Sequence, residues 1–389
     1  MQTIKSQVAE QKRIIKSNYL LITFLIIMMS VGKKSGLQID QEGRKASWKK
    51  FFGVPRYSDS RLNHCILSDS TISDRLKELN GTKLRGINYE VLKKGQDRGI
   101  ISRISVIDGS QACGQYGSYL GFKTSYGDIF IVDYEPSGGI GRELSSSKRL
   151  IERMEENLGE SRVELLLLDM LYMNEGILNM VREGYVRNIL IKYTPARKED
   201  GSPKLYRTLL KEFEKYLELQ DKPKRTKVEN LKVEGSGYQY EKGYDKDLGV
   251  NYTVRSMKRL DIDGNYKIAK VIEENPINGK SNLFYVFTTD KEMSGNQMRK
   301  HGHGRWIIEN DGFKMMNELL WSKHKWFKEQ KTSENLILIW LLSFSLLWLF
   351  RRISETYFKK LFPGMKITTK FVSDFLNLRN NENIVFDSA

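Results

Sequence analysis

Three carboxylates spaced far apart in the chain could do phosphoryl-transfer chemistry together. Asp108 ends the segment "ISRISVID", Asp169 ends "VELLLLD", and Glu309 lies in "HGHGRWIIENDGF". Mg²⁺ prefers oxygen ligands and keeps positions open for water and phosphate. Two such ions about 4 Å apart activate an attacking oxygen and stabilise a leaving one during in-line displacement. Glu309 draws notice because it interrupts an apolar stripe of Trp306, Phe313, Met316 and Leu320 at helical spacing. A carboxylate on a buried face is costly unless it is paired or binds a metal. Each acid also has a plainer reading. Glu309 would pair with Arg305 one turn earlier, Asp108 would be a turn residue before Gly-Ser, and Asp169 would cap the helix after its strand.

The acids gain weight from the elements that must position them. "ISRISVID", "GSYLGFKTSYG" and "DIFIVDYE" read as three strands, the first ending at Asp108. "SSSKRLIERMEENLG" reads as a helix with serine caps and a terminal glycine. "VELLLLD" and "VRNILIKYT" read as strands buried on both faces, with the helix "NEGILNMVREGY" between them. The order β-β-β-α-β-α-β predicts a mixed sheet covered by helices, as in a ribonuclease-H-like domain. Such a fold brings the ends of the first and fourth strands together with a later helix, which Glu309 supplies. An insertion fills the gap: a charged helix in "KLYRTLLKEFEKYLELQD", a basic linker, then strands in "NYTVRSMKRLDI", "YKIAKVIEE" and "SNLFYVFTTD".

The expected organisation is therefore mixed α/β. A helical, basic region over 1–100, with helix starts at Ser58 or Asp59 and near Ser70 to Ser73, ends at the loop "NGTKLRG". A ribonuclease-H-like domain comes next over 101–330, with its β-rich insertion over about 195–290, and a helical region covers 331–389.

Charge points to a polyanion. The chain has 64 Lys and Arg against 48 Asp and Glu, a formal charge of +16, which favours nucleic acid before a membrane surface. Its 2 cysteines, Cys65 and Cys113, give no disulfide framework and no zinc spacing. His301 and His303 form an HxH pair with no third ligand nearby, so a polar turn is the favoured reading. Two apolar runs, Tyr19 to Val31 and Leu336 to Phe350, fall short of the roughly 18–20 residues that cross a bilayer. Both are expected to be buried helices, and no membrane association is expected.

Several motifs resemble the DDE transposases of bacterial insertion sequences, in the group with a β-rich insertion before the glutamate. "VIDGS" looks like the first-aspartate strand, "LLLLDMLYMNEGIL" the second-aspartate motif, "FYVFTTD" the last strand, and "RWIIENDGF" the glutamate motif. The group often has a tyrosine where Gly302 stands and a lysine where Met316 stands; Lys314 is the nearest alternative. The resemblance implies two Mg²⁺ ions, with Mn²⁺ able to substitute, held by Asp108, Asp169 and Glu309. It implies cleavage of the element's terminal inverted repeats and joining to target DNA. Arg305 would contact a phosphate, with Lys314 and Lys323 adding backbone contacts; an ion pair for Arg305 and a solvated face for the lysines are the plainer roles. A homodimer on DNA and a cytoplasmic location complete the expectation. Its rivals are a DNA-binding protein that no longer cuts, a nuclease of the same fold and a membrane-anchored protein.

Overall fold

The computed structural model describes residues 69–361, apart from 140, 196–207, 222–237, 260–265 and a few positions between 315 and 324, together with scattered helical residues between 21 and 41. The proposed helix start at Ser58 or Asp59 lies outside the described residues, as do His64, Cys65 and Leu320. The chain divides into two units, one of residues 1–163 and 307–389, the other of residues 164–306.

In the first unit, helices α1 (Asp69–Glu78) and α2 (Gly81–Asp97) precede strands β1 (Ile101–Ala112), β2 (Gln115–Thr124) and β3 (Ile129–Pro136), with α3 (Glu143–Leu158) after them. The segment "NGTKLRG" is not a loop. Asn80 accepts a hydrogen bond from the Lys83 N–H and starts α2. The strand order is β3-β2-β1, all antiparallel. Strand β1 also differs from expectation, because Asp108 sits inside it, opposite Tyr119, and not at its end. Gly109 and Ser110 stay extended, and the chain reverses at Cys113 and Gly114, with φ of 50° and 73°. Left-handed conformations at both central residues suit a tight hairpin. The serines of "SSSKRL" are not caps either. Ser146 and Ser147 lie buried within α3, their hydroxyls 2.7 and 2.9 Å from that of Ser118 on β2.

Helix α7 (Gln330–Leu361) covers the outer edge of β3. Ser345 accepts from the Ile131 N–H and donates to its carbonyl (3.1 and 3.0 Å), and Asn88 of α2 donates to the Val132 carbonyl (3.0 Å). Edge groups that would otherwise lie buried and unmet are thereby satisfied. Residues 336–345 are all buried, so the second apolar run packs against protein where it is described. Of the first run, Leu21, Leu25 and Met28 are helical and fully buried. Among the described residues, no helix is long and apolar enough to cross a membrane.

The second unit is a six-stranded mixed sheet. Strands β4 (Leu165–Asp169) and β5 (Ile189–Tyr193) are parallel, joined through α4 (Glu175–Arg182). After α5 (Thr208–Asp221) come β6 (Gln239–Asp245), β7 (Val250–Arg259), β8 (Tyr266–Glu274) and β9 (Ser281–Thr288), all antiparallel, in the order β4-β5-β9-β8-β7-β6. The insertion thus extends the sheet that holds Asp169. It has one strand more than the sequence suggested: β6, "QYEKGYD", has no apolar face to betray it.

Helix α6 (Gly295–Gly304) lies on one face of this sheet. Ser294 and Gln297 form a capping box at its start, and Glu241 of β6 accepts from the Gly295 and Asn296 N–H groups (2.6 and 2.9 Å). Arg299, fully buried, bonds Glu273 at 2.8 Å and also Asp245, and its guanidinium lies 4.2 Å from the Tyr252 ring centroid. His303 Nε2 meets both oxygens of Glu273, and both histidines of the HxH pair lie within α6, not in a polar turn before it. Gly302 lets α6 approach β9: a Cβ there would come within 3.2 Å of Phe284 and 3.3 Å of Val286. Gly302→Tyr should therefore lower stability, by about 1–3 kcal/mol through overpacking. A urea melt reads this, and an unchanged midpoint would show that α6 can lift without cost.

Candidate anion-binding site and the three acids

Asp169 is the last residue of β4 and lies directly beside Lys192 of β5 in the parallel register. The chain turns at once into a short 3-10 helix, Met170–Tyr172, whose first N–H the Asp169 carboxylate accepts. The plainer capping role of Asp169 is therefore real, but it occupies one oxygen. The other, Oδ2, lies 4.0 Å from Arg305 Nη1. Arg305 is only 5% exposed, whereas the Asp169 carboxylate is 39% exposed.

These residues line a cavity of about 550 Å³ with Met170, Leu171, Tyr193, Thr194 and Trp306. It opens at the carboxyl ends of the two parallel strands, where α/β sheets commonly bind ligands. Lys192 is 2% exposed, its ammonium 3.7 Å from the Trp306 ring centroid and 4.2 Å from that of Phe284. The ring faces favour a cation there. With two cations against one carboxylate, the cavity suits an anion with several oxygens, such as a phosphate.

Lys192 was missed in reading the sequence. Its signal was the one that drew attention to Glu309, a charge inside an otherwise apolar run, "ILIKY".

In the first unit, Asp108 and Tyr119 are directly opposed on β1 and β2, so their side chains share a face. Tyr119 meets the Phe313 ring edge-on at 5.1 Å. Phe313 belongs to a π-helical turn, Ile308–Lys314, that packs on β1 and β3 and carries Glu309. The turn with the third acid thus rests on the strand with the first. Glu309 itself is exposed, not part of a buried stripe. The helix expected over this region ends at Gly304, and the wider i→i+5 turn shifts the helical phase of residues 308–316. Ile308, Gly312, Phe313 and Met316 become the buried positions, and Glu309 turns outward. Lys314 and Lys323 are also exposed.

Asp108 and Glu309 lie in one unit and Asp169 in the other. Within either unit, no three described His, Cys, Asp or Glu side chains are grouped as a metal site. The fold is mixed α/β with a large mixed sheet and several helices. No protein-family model matches the chain, and no curated protein matches it significantly.

Proposed function

We propose that this chain is a DNA transposase with a ribonuclease-H-like core, cutting the ends of a mobile element and joining them to target DNA. The observation that carries the reading is the packing of the Glu309 turn on the strand of Asp108. Further support comes from Asp169, which ends its strand in an open cavity beside two cations. The motif resemblance to bacterial DDE transposases points the same way.

Asp108, Asp169 and Glu309 would hold the divalent ions. A set of carboxylates without thiolate or imidazole fits hard cations such as Mg²⁺ or Mn²⁺. When bound, two such ions supply Lewis-acid activation of water and of the freed 3′-hydroxyl. The chain's own residues bind and orient the phosphate. Arg305 and Lys192 are nearly buried, so water screens their positive charge less than it would on the surface. Lys314 and Lys323, on the exposed side, would add backbone contacts that carry no sequence information. The partner is DNA, both terminal repeats and target, bound by a homodimer in the cytoplasm.

The test uses a duplex carrying the short inverted repeats that should flank the gene. Arg305→Ala should lose both affinity and rate in a gel-shift titration run beside a Mg²⁺ cleavage assay, because it removes a phosphate contact. Loss of a charge-assisted contact corresponds to about 10–150-fold in affinity. Wild-type binding without cutting would replace the proposal with a silent DNA-binding protein. Cutting without strand joining would make it a nuclease.

A further inference from the structure

The two faces of the second unit's sheet are treated differently. One face carries Glu241, Gly243 and Asp245 of β6 with Tyr252 and Val254 of β7, and α6 covers it through Glu241, Arg299 and Glu273. The other face is covered only in part. Helix α5 reaches β8 and β9, where Glu214 bonds Lys270 at 2.8 Å and also meets the Tyr285 hydroxyl. Beyond Tyr238, whose ring centroid lies 6.3 Å from that of Tyr216 on α5, the described residues leave that face of β6 exposed, with Thr253 and Arg255 of β7 half-buried. Tyr240 and Tyr244 are each 55% exposed, with Lys242 exposed between them, and Lys246 is exposed just beyond the strand. Opposite them on β7 stand Arg255, Thr253 and Asn251.

This pattern matches a stacking platform for nucleic acid. Residues two apart on a strand share a face, so Tyr240, Lys242 and Tyr244 form a row of aromatic, cation, aromatic. The two rings are separated by about 13 Å along the strand, four residues at ~3.3 Å each. Arg255 lies across from Tyr240, its guanidinium 6.0 Å from the ring centroid, at the outer limit of a cross-strand cation–π contact. Keeping an edge strand from pairing needs charge alone, and Lys242 supplies it. Two half-exposed tyrosines flanking that lysine go beyond this need. Around this face the cations Lys242, Lys246, Arg255 and Lys270 outnumber the acids Asp247, Glu274 and Glu214.

We propose that the open face of β6 and β7 binds single-stranded nucleic acid. Bases stack on Tyr240 and Tyr244, and the intervening phosphates meet Lys242, Lys246 and Arg255. Duplex DNA keeps its base faces stacked inside and cannot use the rings, whereas every unpaired base offers one. The inference stands on this surface alone and does not depend on the metal chemistry.

The experiment measures anisotropy of a fluorescein-labelled oligo-dT with the full chain, in EDTA so that no cleavage intervenes. The double variant Tyr240→Ala/Tyr244→Ala should bind at least about tenfold more weakly, and Tyr240→Phe/Tyr244→Phe should bind as wild type. Lys242→Ala should reduce the slope of log affinity against log salt by about 0.7. Thermal melts of each variant establish that it folds; should the alanine pair not fold, the phenylalanine pair and Lys242→Ala still decide. Affinity unchanged in the alanine pair overturns the proposal. So does an equal loss in the phenylalanine pair, which would assign the effect to the hydroxyls. Self-association of the wild type that the alanine pair abolishes would make the face a contact between copies of this chain, and would also overturn it. Because this assay runs in EDTA and the cleavage assay in Mg²⁺, oligo-dT binding without cleavage counts against the transposase reading alone, and cleavage without oligo-dT binding counts against this one alone.

Discussion

Glu309→Gln should cut element-end DNA about 10²–10³-fold more slowly than wild type in Mg²⁺, the rate equivalent of several kcal/mol of lost charge stabilisation. The substitution keeps shape and removes one negative charge from the proposed ligand set. Because Glu309 is exposed, the fold should not suffer. Asp169→Asn should behave alike, since an amide oxygen can still accept from the Met170 N–H and keep the short helix capped. On the proposed reading, binding of the same DNA would rest on dispersed lysines and arginines and should be unchanged, with the same salt dependence. A gel-shift titration at two salt concentrations, run beside the cleavage assay, separates the two quantities. If Glu309→Gln cuts at the wild-type rate, Glu309 is a surface residue and the three-acid assignment fails.

Arg299→Ala should cost about 3–5 kcal/mol of stability, because it strips the countercharge from a buried acid and leaves it uncompensated. Glu273 has a side chain only 4% exposed and would keep His303 and a long hydrogen bond from Asn282 (3.5 Å), while Asp245 would lose its arginine. Lys258→Ala is the control. Its partner Glu292 is 84% exposed, and surface pairs contribute about 0–1 kcal/mol. Urea melts of the three proteins give the comparison, and equal midpoints for both variants would show that the buried network adds nothing. The pH dependence has a definite sign. Burial pushes the Glu273 carboxyl up, but hydrogen bonds from His303 and Arg299 outweigh it and hold the group below the usual glutamate range. A depressed carboxylate contributes stability that is present above the unfolded value, about 4.3, and is lost as pH falls through the folded value. Wild type should therefore lose stability in acid below about pH 4, more steeply than Arg299→Ala, which keeps the share of that depression due to His303 and gives up the share due to Arg299.

A second buried acid shows why carboxylates cannot be sorted by sequence context alone. Asp133 ends the apolar run "IFIV" much as Asp169 ends "LLLL". In the fold, Asp133 is fully buried and held by Arg85 (3.1 Å), Arg153 (2.7 Å) and the Tyr89 hydroxyl (3.1 Å). Asp169 instead opens to a cavity. The partners of Asp133 come from two helices, 44 to 48 residues before it and 20 after, and no local pattern marks them.

The order of strands and helices, the long apolar helix and the charge balance are determined by the sequence itself. Runs such as "VELLLLD" and "NLILIWLLSF" can lower their free energy only by burial, so local pattern is enough to assign them. Long-range packing decided the rest. Strand β6 escaped notice because its inward side is Glu241, Gly243 and Asp245, polar residues tolerated there only because the start of α6 and Arg299 meet them. Asp108 passed as a strand end because Gly-Ser reads as a turn, yet pairing with β2 keeps both residues extended until Cys113. Glu309 passed as a core-stripe residue because periodicity assumes 3.6 residues per turn throughout, and a π turn breaks that phase. Local sequence states what a residue would prefer, whereas the energy of a polar group is set by the partners that distant segments bring to it.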